Sequence, residues 1–109
     1  MPVDPRLTGL QRISTLVKDI HLADLRRAEA ERAELLDRLA ALGAPAPMAA
    51  DLPPAVAAEV AMRYDRWAEL RRREIEQALT QKAVECDALR ARARLSLGRD
   101  QALAQLGRG

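Results

Sequence analysis

The stretch "GAPAPMAADLPP", residues 43–54, divides the chain and decides how it can fold. It holds four of the six prolines of the chain, and a residue that precedes proline is disfavoured in the α region. Neither flanking segment can therefore continue through it as a helix. No proline follows Pro54. The stretch predicts a loop over residues 43–53 that joins two segments without internal proline breaks.

The segment before the loop has the apolar spacing of a helix. Asp4 can cap a helix that begins with Pro5, a residue favoured at the first helical position. Steps of three and four residues separate most of its apolar side chains, which are Leu10, Ile13, Val17, Ile20, Leu25, Ala28, Leu35, Leu39 and Leu42. Gly43 follows as a C-terminal stop. We expect helix one over about residues 5–42, with this stripe facing a second helix.

The segment after the loop predicts a longer helix, over about residues 54–106. One apolar stripe gives way to another that is displaced by about one position, and the two together comprise Val56, Val60, Tyr64, Trp67, Leu70, Ile75, Leu79, Ala83, Cys86, Leu89 and Ala93. Such a displacement fits the drift between a 3.6-residue helix and a seven-residue repeat. A helix of about 50 residues is roughly 75 Å long.

The amino-acid composition also favours two long helices. Ala, Glu, Lys, Leu and Arg make up 65 of the 109 residues, which is typical of coiled coils, and there is no Phe. Two long helices joined by a short loop pack antiparallel. The predicted fold is therefore all-α: one domain over residues 1–109 that forms an antiparallel coiled-coil hairpin.

A register for this hairpin follows if the turn centres near Met48. Facing residues then have numbers that sum to about 96, which places Ala28 against Trp67. The same register leaves helix two without a neighbour beyond about Arg92. The C-terminal helix is therefore expected to project beyond its partner, and cutting the chain after Arg94 is expected to leave its stability almost unchanged.

Polar residues interrupt both predicted apolar stripes at positions that face each other in this register. His21 and Asp24 break the stripe of helix one, and the assumed register sets them beside Arg71 and Arg72. We expect Asp24 to pair with one of these two arginines. Such a pair more often fixes register than adds much stability.

The charge of the chain is concentrated near its C-terminus. Residues 1–87 carry 13 basic and 15 acidic side chains, whereas residues 88–109 carry five arginines and one aspartate. Leucines alternate with these arginines, which favours a protein partner over phosphate alone. The predicted partner-binding residues are Arg92, Arg94, Leu95, Leu97, Arg99, Leu103 and Leu106.

No catalytic, cofactor or metal site is predicted. The chain has one histidine, His21, and one cysteine, Cys86, and its glycines form no phosphate-binding loop. The sequence holds no run of about 18 apolar residues that could span a membrane. The first ten residues lack the apolar region of a signal peptide. We therefore expect a cytoplasmic protein that is not an enzyme.

Two quoted stretches carry a family resemblance. With "RWAELRRREIEQAL", residues 66–79, and "ARLSLGRDQAL", residues 93–103, the chain resembles the FliJ/YscO-type stalk proteins of flagellar and type III secretion export. The resemblance implies a cytoplasmic antiparallel coiled coil, peripheral at the inner-membrane export gate. It also implies that the paired termini enter the ring of the export ATPase. The export-gate protein and the export chaperones are further partners that it implies.

Two other hypotheses stay open. The first is a nucleic-acid-associated coiled coil that would set Arg90, Arg92, Arg94 and Arg99 on phosphates, although the C-terminal segment has no aromatic group to stack on bases. The second is a structural homodimer in which the C-terminal segments of two copies pair. Salt dependence separates a phosphate-binding protein from a leucine-anchored one, and solution mass tests the homodimer.

Overall fold

A computed structural model of the chain describes residues 4–44 and 51–108, and within them it contains two helices and no strand. Helix α1 is Pro5–Ala41 and helix α2 is Pro54–Arg108. The two pack against each other, which confirms the predicted all-α helical hairpin. Most of the predicted loop, residues 45–50 with Met48 among them, lies outside the described residues.

Local chemistry explains where α1 begins. The Asp4 carboxylate accepts a hydrogen bond from the backbone N–H of Arg6 at 3.0 Å. The first backbone N–H groups of a helix have no partner within the helix, so a capping carboxylate stabilises its start. Pro5, the first residue of α1, has no N–H to satisfy.

The chain divides into two compact units. One comprises residues up to Ala30 together with those from Ala83 onward, and the other is Glu31–Lys82. Each unit contains parts of both helices. That the whole chain forms one domain therefore stays a prediction.

The first unit establishes the direction and the register of the helices. The Gln11 Nε2 group donates to the backbone oxygen of Leu103, and the Nδ1 atom of His21 lies beside Oγ of Ser96. Further along, the Arg90 guanidinium pairs with Glu29 at 3.5 Å. The numbers of paired residues therefore sum to between 114 and 119, with one rising as the other falls. The helices are antiparallel, and the predicted sum of 96 is wrong.

The error in register comes from the connection between the helices. Centring the turn on Met48 assumes that both helices reach the turn together. Instead α1 ends at Ala41, and the chain that follows stays beside α2, because Leu42–Ala44 border the same cleft as Tyr64 and Ala68. The early turns of α2 therefore lie beside the connection, and α1 pairs with residues further along.

Two predicted contacts are wrong for this reason. Ala28 is only 2% exposed, but its neighbours across the first unit lie near Arg90. Trp67 is 54% exposed and contacts the ring of Tyr64 at a centroid distance of 5.7 Å. The predicted packing of Trp67 on Ala28 does not occur.

The predicted pair between Asp24 and Arg71 or Arg72 is also wrong. Asp24 binds Arg27 at 3.2 Å, one turn along its own helix. Arg71 and Arg72 likewise bind glutamates three residues away, Glu74 and Glu69 respectively. Each partner lies close in sequence, so these pairs need no contact between helices.

The C-terminal helix does not project beyond its partner. The hydrogen bond from Gln11 to Leu103 places the last turns of α2 alongside the first turns of α1. A Cβ atom added at Gly107 would lie 2.6 Å from Nε2 of Gln11, so α1 still accompanies α2 at that point. The expected projection is wrong because each turn of α2 faces a later turn of α1 than a sum of 96 implies, so the last turns of α2 still have α1 beside them.

The second unit, Glu31–Lys82, has a conventional apolar interior. Ala68 and Ile75 of α2 are buried, and Leu35 and Leu39 of α1 are half-buried. Lys82 reaches Glu31 across the helices at 2.5 Å between Nζ and Oε2. In this unit leucine and isoleucine fill the interior.

Candidate protein-docking groove

The two helices of the first unit meet along a polar seam. The α1 side of this seam consists of inward residues spaced by four and three, namely Leu7, Gln11, Ser14, Lys18, His21, Leu25 and Ala28, all buried or half-buried. Four of the seven are polar. Burying such groups is costly unless they find partners, so their hydrogen bonds determine whether the seam is stable.

Lys18 and Asp100 form the main charged contact of the seam. The Lys18 ammonium donates to Oδ2 of Asp100 at 3.0 Å, and both side chains are about 20% exposed. The Thr15 hydroxyl donates to the other carboxylate oxygen at 2.8 Å. These hydrogen bonds from Lys18 and Thr15, with the Lys18 charge, lower the pKa of Asp100 below its ordinary value of 3.8. The Asp100 carboxylate is therefore charged at neutral pH.

The seam continues with a contact between His21 and Ser96. Ser96 is 4% exposed, and its Oγ atom lies 2.5 Å from Nδ1 of His21. Across the described residues no buried side-chain nitrogen or oxygen atom lacks a hydrogen-bond partner. His21 is therefore a satisfied seam residue that holds the helices in register.

The most apolar stripe of α1 flanks this seam and is not part of it. Leu10, Ile13, Val17 and Ile20 are all exposed, with Ile13 60% exposed. The prediction that α2 covers these side chains is wrong, because they remain exposed. Apolar spacing indicates that residues share one helical face, but it does not say which neighbour covers that face. Here the hydrogen-bonding residues of α1 occupy the seam, and the apolar stripe lies beside it.

A groove of about 450 Å³ runs along the first unit between this stripe and α2. Its lining residues come from both helices and are Leu10, Ile13, Ser14, Val17, Ser96, Arg99, Ala102 and Leu103. Aliphatic side chains make up most of this lining. Arg99 is the one charged side chain among the described residues that line it. We call this feature the docking groove.

The structure places the predicted partner-binding residues on two sides of α2. Arg99 and Leu103 line the docking groove, and helical spacing sets Arg92, Leu95 and Leu106 on the same side. The last of these, Leu106, is 66% exposed. Whether these five residues bind a partner stays a prediction.

Arg94 and Leu97 lie elsewhere on α2. Arg94 is five residues before Arg99, which turns it about 140° around the helix axis. Leu97 is two residues before Arg99 and is turned by about 160°. Both are exposed. The predicted set of seven therefore does not form one continuous surface.

Sequence reasoning missed the α1 side of the groove. The helical spacing of Leu10, Ile13 and Val17 predicts that they lie in the interior. A signal to the contrary was present: a second series at seven-residue spacing, Gln11 with Lys18, carries polar groups able to bond across a seam. Reading the two series as alternatives would have identified an unpartnered apolar face.

The arginines of the groove side differ from most of those in the second unit. Among the described residues, neither Arg92 nor Arg99 has an ion pair, whereas Arg71, Arg72 and Arg73 each pair with a glutamate. Most positive charges on the surface of the second unit are therefore neutralised by neighbouring glutamates. The docking groove combines an uncovered apolar surface with unpaired positive charge, and such patches mark interaction sites.

Other kinds of site are not seen in the described part of the chain. Residues 4–44 and 51–108 contain no cluster of three or more His, Cys, Asp or Glu side chains placed to hold a metal ion. Neither α1 nor α2 has a stretch sufficiently long and apolar to cross a membrane. Cys86 is a buried free cysteine.

Comparison with known proteins gives no further lead. The chain matches no protein-family model, no curated protein and no solved structure.

Proposed function

We propose that this protein is a non-enzymatic coiled-coil stalk or adaptor of a flagellar or type III protein export apparatus. It acts in the cytoplasm at the inner-membrane export gate. It binds the export ATPase ring and couples that ring to the gate, and export chaperones are further partners. The proposal rests on the resemblance carried by residues 66–79 and 93–103, together with the docking groove.

The docking groove is the observation that carries the proposal. It lies in the first unit, where the first turns of α1 meet the last turns of α2. A stalk that enters a ring by its paired termini needs a binding surface at that end. Both helices contribute to the groove, as Leu10 and Leu103 illustrate, so a partner seated there holds the paired ends together.

The polar seam supports the same role. Polar groups inside a coiled coil fix register and partner orientation at some cost in stability. The hydrogen bonds from Gln11 to Leu103 and from Thr15 to Asp100 hold the two chain ends in a single alignment. A fixed alignment keeps the groove in one shape, and this reduces the conformational entropy that is lost when a partner binds.

Co-elution of the purified chain with the export ATPase encoded in the same genome tests the proposal. The parent chain should co-elute with the ATPase. Ile13→Asp and Leu106→Asp, which place charges on exposed groove-side positions, should abolish co-elution with little loss of helical circular dichroism.

Val84→Asp is the matched control for these changes. Val84 is 68% exposed on α2 and lies eleven residues before Leu95, so a charge there should leave co-elution intact. The proposal fails if the parent chain does not associate with the ATPase. It also fails if Val84→Asp disrupts association as much as Ile13→Asp does.

A structural homodimer is the second candidate, and the exposure of Leu10 and Ile13 favours it. Two copies could cover these side chains by packing their first units together. Sedimentation equilibrium of the parent chain distinguishes the candidates. A dimer that Ile13→Asp converts to a monomer would assign the groove to self-association.

A further inference from the structure

The docking groove carries an inference about what occupies it. We propose that it receives an amphipathic helix with an acidic edge, contributed by a protein other than a second copy of this chain. This inference deepens the proposed function by naming the binding element of the partner, and it rests on that function only for the identity of the partner.

The shape of the groove favours a helix. Leu10, Ile13 and Val17 of α1 face Ala102 and Leu103 of α2 across an open channel that follows the helix axes. From Leu10 to Ile20 the apolar stripe is about 15 Å long, or nearly three helical turns. A helix laid in such a channel contacts it through residues spaced by three and four positions.

The charges of the groove favour an acidic edge on that helix. Arg99 lines the channel, and Arg92 lies two turns earlier on the same face of α2. No ion pair engages either guanidinium among the described residues. Arginine forms two parallel hydrogen bonds with a carboxylate, so glutamate or aspartate along one edge of the incoming helix would satisfy both.

The same charges argue against a second copy. A twofold symmetric interface brings one surface patch against itself. None of the described residues that line the groove is acidic, and Arg99 is the one charged residue among them. A second copy would therefore supply leucines but no carboxylate from the facing groove. A different protein with an acidic edge supplies both.

The test uses two synthetic helices and the full-length chain. Each peptide has about 18 residues, roughly five turns, held helical by a hydrocarbon cross-link and labelled with fluorescein. Leucines at three- and four-residue spacing form one face of both peptides. One peptide carries glutamates along an edge, and the other carries lysines at the same positions. Fluorescence anisotropy measures the dissociation constant of each.

The acidic peptide should bind about tenfold more tightly than the lysine peptide at low salt. The double variant Arg92→Glu with Arg99→Glu should invert that preference. Arg94→Glu, which has the same charge change on a different side of α2, should retain it. Ile13→Asp should abolish binding of both peptides.

Three results would overturn the inference. One is absence of binding by the acidic peptide, and another is equal binding of the two peptides. The third is a stable dimer of the parent chain that Ile13→Asp dissociates, because a second copy would then occupy the groove.

Comparison with the ATPase experiment separates this inference from the proposed function. Peptide selectivity without ATPase association would retain the acidic-helix inference and overturn the stalk proposal. ATPase association without peptide selectivity would retain the stalk proposal and overturn the acidic-helix inference. Displacement of the labelled acidic peptide by the ATPase would support both.

Discussion

Lys18 and Asp100 form an ion pair across the helical seam, with 3.0 Å between Nζ and Oδ2, although they stand 82 positions apart in the sequence. This contact links an early turn of α1 with a late turn of α2. It therefore fixes where the two helices meet. The pair also makes the alignment of the first unit sensitive to the protonation of one carboxylate.

Acid should weaken the first unit through Asp100. The pKa of this carboxylate is lowered in the folded chain, so its stabilising effect is fully present above the ordinary value of 3.8. That effect is lost as the pH falls below 3.8 through the folded value. Asp100→Asn removes the carboxylate, so the variant should melt earlier than the parent at neutral pH.

Thermal melts at several pH values check this prediction. The difference in melting temperature between parent and Asp100→Asn should shrink as the pH falls from 5 towards 2. Comparing the two chains cancels the titration of the other carboxylates. Asp87→Asn, at an exposed residue paired with Arg90, should show a smaller difference at neutral pH. A difference for Asp100→Asn that does not change with pH would contradict the assigned ion pair.

Ala28 and Trp67 should respond very differently to substitution. Ala28 is buried in the first unit, so Ala28→Glu places a charge in the seam and should lower the free energy of unfolding by about 3 kcal/mol. Trp67 is more than half exposed, so Trp67→Ala should cost about 1 kcal/mol or less. Urea denaturation followed by circular dichroism measures both. Equal costs would contradict the difference in burial between these two side chains.

Sequence reasoning reached the class of fold but not its register. Proline placement and apolar spacing depend on local rules, which is why they place α1 and α2 within a few residues of their observed limits. Register depends on which residues meet across the helices and on the path of the connection. Asp100 and Lys18 are 82 positions apart, and no local sequence pattern predicts their contact.

The docking groove was half predictable for a related reason. The α2 side, near Leu103 and Leu106, is rich in leucine and arginine, and this composition alone indicates a binding segment. Its α1 side required a choice between two faces of one helix. Leu10 and Ile13 have the stronger apolar signal, yet Gln11 and Lys18 face the partner helix because they find hydrogen-bond acceptors there. Hydrophobicity alone therefore selected the wrong face.

Gly98 should be replaceable with a gain in stability. It lies within the unbroken helix α2, and a Cβ atom built there meets nothing within 4 Å. Because glycine costs about 1 kcal/mol relative to alanine inside a helix, Gly98→Ala should raise the free energy of unfolding by roughly that amount. Gly107→Ala is the contrasting variant, since its Cβ would displace the Gln11 amide from Leu103. No gain from Gly98→Ala would mean that α2 is interrupted at this residue.

Cutting the chain after Arg94 should destabilise the first unit. The cut removes Ser96, Asp100 and Leu103, which together bond to four residues of α1 through His21, Lys18, Thr15 and Gln11. These polar groups of α1 would lose their partners, and the early turns of the helix would lose the surface on which they pack. The truncated chain should therefore melt at a clearly lower temperature and show less helical circular dichroism. A cut after Leu106, which keeps all four contacts, should leave both quantities nearly unchanged. An unaltered melting curve after the shorter cut would mean that the last turns of α2 do not pack on α1.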